Sequence, residues 1–120
     1  MTPAQAIDGV FEAWEQLDVE ALLELFTEGA RYEDPLFPEP LVGRKQLRES
    51  IGPAMAELAD CAITIRHVAE HGDSGMVEAE FRSALASGEG RLDFDFAMVV
   101  EMDDGRVARL AEYFDTGPFG

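Results

Sequence analysis

Three tight-turn signals, HGDSG at 71–75, SGEG at 87–90 and DDG at 103–105, cut the second half of the chain into four apolar-rich segments. Glycine beside a serine or a small acid supplies the positive-φ positions and side-chain-to-backbone bonds that a short reversal needs. The segments run roughly 61–70, 75–86, 91–102 and 106–115. Strands joined by such short turns pair antiparallel, because a parallel return needs a crossover of a dozen or more residues. The spacing predicts a four-stranded meander.

The first half has a different period. Thr2-Pro3-Ala4-Gln5 is a helix start with a capping residue, a proline at the first helical position and a glutamine to close the box. Ile7, Val10, Phe11, Trp14 and Leu17 then recur at helical spacing. Asp18 caps a second helix over VEALLELF, with Gly29 as its stop. A short strand, ARYED at 30–34, precedes a loop carrying Pro35, Pro38 and Pro40. Leu47, Ile51, Met55 and Leu58 mark a third helix, where Gly52-Pro53 predicts a kink or a split into two. Helices followed by strands make an α+β chain. With no repeat and no linker, residues 1–120 form one domain.

Composition excludes several roles. Acids outnumber bases 25 to 9, a net charge of −16, which repels phosphate backbones and anionic lipid surfaces, so neither nucleic acid nor membrane is expected as a partner. The single cysteine, Cys61, permits no internal disulfide and no zinc site of clustered cysteines. His67 and His71 lack a close third ligand, so no metal and no cofactor is expected. MTPAQAIDGV has no basic stretch and no apolar signal core, and no run approaches the ~20 residues of a membrane span, so the expectation is a soluble cytoplasmic protein.

Strand alternation locates polar residues on apolar faces, where an unpaired charge is costly. In VARLAEYFD, Glu112 shares a face with Ala108, Leu110 and Phe114. In ARYED, Tyr32 and Asp34 share a face with Ala30, and Glu33 points the other way. In CAITIRHV, His67 continues the face of Ile63 and Ile65. Phe94, Phe96, Met98, Val100 and Met102 form one apolar face, with Asp93 and Asp95 opposite, and Glu78 and Glu80 likewise fall on the solvated face of their strand. If Tyr32, Asp34, His67 and Glu112 converge in a dry cleft, two carboxyls there would push their titrations apart, leaving one as base and one as acid. Histidine or tyrosine would then supply a proton or steady an oxyanion. Each residue also has a plain structural use. Asp34 before Pro35 shapes a turn, Glu112 suits a sheet edge or interface, His67 a satisfied buried histidine, and Tyr32 a core ring with its hydroxyl at the rim.

LLELFTEGARYEDP, VGRKQL and DDGRVARLAEYFD, in this order of elements, resemble the nuclear-transport-factor-2-like superfamily across about residues 3–115. That superfamily includes ketosteroid isomerase, SnoaL-like polyketide cyclases, scytalone dehydratase and limonene epoxide hydrolase. The resemblance implies a cone, in which a strongly curved antiparallel sheet wraps about three N-terminal helices and encloses an apolar pocket. It also implies a homodimer formed through the exposed sheet face. Asp34 falls where ketosteroid isomerase carries its catalytic aspartate, but the positions matching its two oxyanion donors are Val10 and Met98. Against the epoxide hydrolase, Tyr32 and Asp34 match residues that position water and Glu112 matches a final-strand carboxylate. Its arginine–aspartate pair is not reproduced, with Glu78 or Glu80 the nearest acid.

The resemblance implies an isomerase or cyclase moving a proton on a small apolar carbonyl compound without a cofactor. Asp34 would be base, Glu112 or His67 proton donor and Tyr32 the orienting group. Trp14, Phe94, Phe96, Met98, Leu110 and Phe114 would line the pocket. The rivals are an epoxide hydrolase or dehydratase using Asp34 with Glu112 or His67, and a non-catalytic binding or dimerisation module.

Overall fold

The computed structural model describes residues 1–119. Helix α1 (Pro3–Glu15) starts at the capping box: Thr2 Oγ1 accepts from the Gln5 backbone N–H, and Gln5 Oε1 accepts from that of Thr2. Its apolar stripe, Ala6, Ile7, Val10 and Phe11, is buried against the sheet. Helix α2 (Val19–Leu23) is capped by Asp18, whose carboxylate accepts from the Ala21 N–H at 3.1 Å. It is shorter than expected. Strand β1 (Phe26–Glu33) begins at Phe26, and Gly29 lies inside the strand instead of stopping a helix. Tertiary pairing wins over local helix preference here. Phe26 is fully buried opposite Val107, and the Leu25 carbonyl accepts from the Val107 N–H at 2.8 Å.

After the proline loop, a two-residue strand β2 (Leu41–Val42), too short to leave an alternation signal in the sequence, pairs antiparallel with β1. Helix α3 (Arg44–Ala56) runs through Gly52-Pro53 as one helix, not two. Pro53 stands close to its C-terminal end, so the helix loses one backbone bond there without being divided. Strands β3 (Ala62–His71), β4 (Ser74–Ala84), β5 (Arg91–Asp103) and β6 (Arg106–Tyr113) form the expected antiparallel meander.

The six strands make one curled, unclosed sheet in the order β2-β1-β6-β5-β4-β3. Its one parallel pairing joins β1 to β6, setting Arg31, Tyr32 and Glu33 opposite Arg109, Leu110 and Ala111. On the outer face the Arg109 guanidinium bridges Glu33 on β1 and Glu101 on β5, which ties the seam from outside. Asp95 and Glu80 also lie outside, paired with Arg66 and Arg82. Inside, α1 approaches β4 so closely that a Cβ on Gly75 would stand 2.8 Å from Pro3 Cβ. No helix is long and apolar enough to cross a membrane.

Candidate active site

Between α1, α3 and the inner face of the sheet lies a cavity of about 190 Å³. The sheet contributes Phe81, Phe94, Phe96 and Phe114, and α1 contributes Trp14. The Phe94 ring is the hub, with centroids of Phe81 at 4.8 Å, Phe114 at 4.9 Å and Phe119 at 4.9 Å. One stripe of α3 and the turn after it completes the wall, Ser50, Ile51 and Ala54 from the helix and Glu57 and Leu58 just beyond its end. The spacing of that stripe was visible in the sequence, but its polar members Ser50 and Glu57 masked it. Phe119, in a short turn of 3-10 helix after β6, carried no periodic signal.

The parallel seam places Tyr32 and Glu112 on the same inward face. The Tyr32 hydroxyl donates to Glu112 Oε1 at 2.6 Å. Tyr32 is only 2% exposed, and burial, with the acid beside it, pushes its phenol well above the ordinary range, so it stays a donor. Glu112 keeps partial exposure towards the cavity, but enclosure by the protein removes it from bulk water. That burial first, and then the neighbouring Asp34 carboxyl, push the Glu112 carboxyl well above the usual carboxylate range, against the opposing hydrogen bond from Tyr32. The shift favours the protonated form of Glu112, which makes it the acid candidate beside Asp34.

Asp34 is placed by the loop that follows β1. Its Oδ1 accepts from the Leu36 N–H at 2.8 Å and its carbonyl from the Phe37 N–H at 3.0 Å. The turn-shaping use of an aspartate before proline is thus real, and the same side chain also borders the cavity. Under the proline loop a second cavity of about 310 Å³ is framed by Pro35, Pro38, Pro40 and Tyr113. Asp34, Phe37 and Glu112 border both cavities, so the carboxyl pair stands in the partition between an aromatic chamber and a more open cleft.

Tyr32, Asp34 and Glu112 converge, but His67 does not. Its side chain is 85% exposed and faces Glu78 at 4.0 Å on the outer surface. The reason is a register break in β3: Ile65 pairs with Ala79, yet His67 pairs with Glu78, and one extra residue reverses which face follows. Trp14, Phe94, Phe96 and Phe114 line the cavity as expected. Met98 and Leu110 do not. They are sealed in the core, Met98 opposite Glu112 and Leu110 beside Tyr32 in register, and support the pair from below. Cys61, half-buried, has its thiol pushed up to about 12 by burial and by Glu15 and Asp60, which leaves it a poor nucleophile. Among the described residues no three His, Cys, Asp or Glu side chains cluster as metal ligands.

A family model described as a SnoaL-like domain matches residues 7–110. The chain belongs to the SnoaL-like domain family. Three solved structures show the same fold. One is a Catenulispora acidiphila protein of ketosteroid isomerase-like fold in complex with trimethylamine, 19% identical, with TM-score 0.82 over 96% of this chain and 88% of that one. Another is an NTF2-like protein of unknown function from Burkholderia pseudomallei, 18% identical, with TM-score 0.83 over 98% and 93%. The third is an LEH-like epoxide hydrolase of M. tuberculosis, 20% identical, with TM-score 0.78 over 93% and 81%. No curated protein matches the chain. SnoaL-like folds include isomerases, cyclases and epoxide hydrolase-like proteins, so the fold alone does not select a reaction for this one.

Proposed function

We propose that this SnoaL-like domain moves a proton next to the carbonyl of a small apolar substrate, with Asp34 as general base and Glu112 as its acid partner. One observation carries the reading: two carboxyls of unlike environment meet at the wall of a single aromatic cavity. Asp34 takes the C–H proton beside the carbonyl, and the electron pair moves into the enolate. Glu112 donates its proton to the enolate oxygen, or holds that oxygen by a hydrogen bond. Tyr32 fixes the acid through its other oxygen. Asp34 then returns the proton to a different carbon, while the enol hydroxyl gives its proton back to Glu112 and the carbonyl re-forms. Glu112 replaces His67 in this scheme, and supplies a donor in a site where Val10 and Met98 supply none.

Size narrows the substrate. A cavity of roughly 150 Å³ accommodates a benzene ring, and drug-sized sites run from about 300 Å³ upwards. At about 190 Å³ the chamber suits one ring or a compact pair, not a four-ring steroid. 3-Cyclohexen-1-one is the direct probe. Its conjugation is followed by ultraviolet absorbance, and deuterium incorporation in heavy water by NMR. Equal rates for wild type and Asp34→Asn would remove Asp34 as base.

A second reading is supported by the cleft behind the pair. Asp34 and Glu112 also border the cavity under the proline loop, from which water could reach a substrate held in the aromatic chamber. In an epoxide hydrolase, Asp34 would deprotonate that water and Glu112 would protonate the opening ring oxygen. Labelled water separates the two, because hydrolysis puts heavy oxygen into the product and isomerisation only solvent hydrogen.

A further inference from the structure

We propose that the cavity selects a ligand bearing a cationic nitrogen, an amine or quaternary ammonium on a small apolar frame, over its neutral and anionic isosteres. The inference deepens the reading above, since it names the substrate class of the same cavity.

Two independent features point there. The first is charge. The ionisable groups that border the chamber are Tyr32 and Asp34 from β1 and its end, Glu57 from the turn after α3 and Glu112 from β6. The adjoining cleft adds Glu33, Glu39 and Tyr113. Among the described residues bordering either cavity there is no lysine, arginine or histidine. The Arg109 guanidinium is engaged with Glu33 and Glu101, and that of Arg82 with Glu80 and the backbone carbonyls of Phe81 and Phe94. Fields inside an apolar chamber are screened far less than at the surface, so an anion there meets the carboxyl oxygens of Asp34 and Glu112 with no bordering cation to offset them.

The second feature is the wall. Trp14, Phe81, Phe94, Phe96, Phe114 and Phe119 surround the space, and none of them offers a hydrogen bond to an anion except the indole N–H of Trp14. Aromatic faces attract cations through the ring quadrupole, and a ring of such faces is the usual receptor for quaternary ammonium groups. A purely apolar ligand would be served equally well by leucines. Carboxyls together with clustered aromatic rings suit a positive charge that has lost its water.

The test uses three probes of one shape: phenyltrimethylammonium, tert-butylbenzene and 2-methyl-2-phenylpropanoate. Trp14 is the only tryptophan and borders the cavity, so its fluorescence reports binding. Titrations at 0.3 M sodium chloride suppress non-specific attraction to a chain of net charge −16. The ammonium should bind about tenfold tighter than tert-butylbenzene, and the carboxylate more weakly than either. Phe94→Leu should reduce the preference, and the Asp34→Asn/Glu112→Gln double variant, near-isosteric with the wild type, should abolish most of it. Equal or tighter binding of the neutral probe, or a preference unchanged in the double variant, overturns the inference. Binding is read without turnover. A chain that prefers the ammonium but leaves cyclohexenone untouched loses the catalytic reading alone, and one that isomerises the ketone but ignores charge loses this one alone.

Discussion

The Tyr32 hydroxyl and a Glu112 carboxyl oxygen lie 2.6 Å apart although 80 positions separate them in the chain. The parallel seam between β1 and β6 makes the bond, and the bond in turn holds the acid member of the carboxyl pair. Removing the hydroxyl removes the one neighbour that favours the charged form of Glu112. In Tyr32→Phe the Glu112 carboxyl should titrate still higher, so an activity that needs it protonated keeps its alkaline limb to higher pH. A pH–rate profile of both proteins checks the direction. The lost bond should also lower stability by about 1–3 kcal/mol, read by urea unfolding.

Glu112→Gln should separate chemistry from stability. Glutamine resembles the protonated acid, so it can accept from Tyr32 and donate towards Asp34. The folded-state titration of Glu112 is raised, so the folded chain holds more protons than the unfolded chain above about pH 4.3, and wild-type stability falls as pH rises through that window. The variant escapes this loss. Its Tm should exceed that of wild type at pH 8 and converge with it near pH 4, while proton-transfer activity drops. A Tm difference independent of pH would show that Glu112 is not held protonated.

Asp34→Asn should reduce turnover of a β,γ-unsaturated ketone by roughly 10²–10⁴-fold, the usual span for a lost general base. Its turn should survive, because the asparagine oxygen can still accept from the Leu36 N–H. Scanning calorimetry showing little change in Tm beside a large loss of rate would assign the effect to chemistry. Collapse of both would assign it to the loop.

Gly75→Ala probes the packing of α1. The added methyl would stand 2.8 Å from Pro3 Cβ, 3.2 Å from Ile7 Cδ1 and 3.3 Å from Val100 Cγ2. The clash should cost about 1–3 kcal/mol, measured by chemical denaturation, with the slope m unchanged.

What could be read from the sequence was whatever local rules determine. The three turns, the capping box at Thr2 and the intrusion of Glu112 into an apolar face all follow from spacing, and all hold in the structure. The failures share another cause. His67 is displaced by a single extra residue in β3, which alternation cannot detect and which reverses every later side chain. Phe26 leaves the helix because Val107, far along the chain, pairs with it. Met98 and Leu110 have the right face but the wrong depth, and depth depends on how tightly the sheet curls.

The β1–β6 pairing also sets when the Tyr32–Asp34–Glu112 cluster can assemble during folding. Short-range turns and helices form early, whereas a contact spanning 80 positions must close a large loop before it is rewarded. A growing polypeptide that has already made all three helices still has Tyr32 without an acceptor and Asp34 without a partner. The candidate site is then assembled only with the closing of the fold, and half-made molecules lack it.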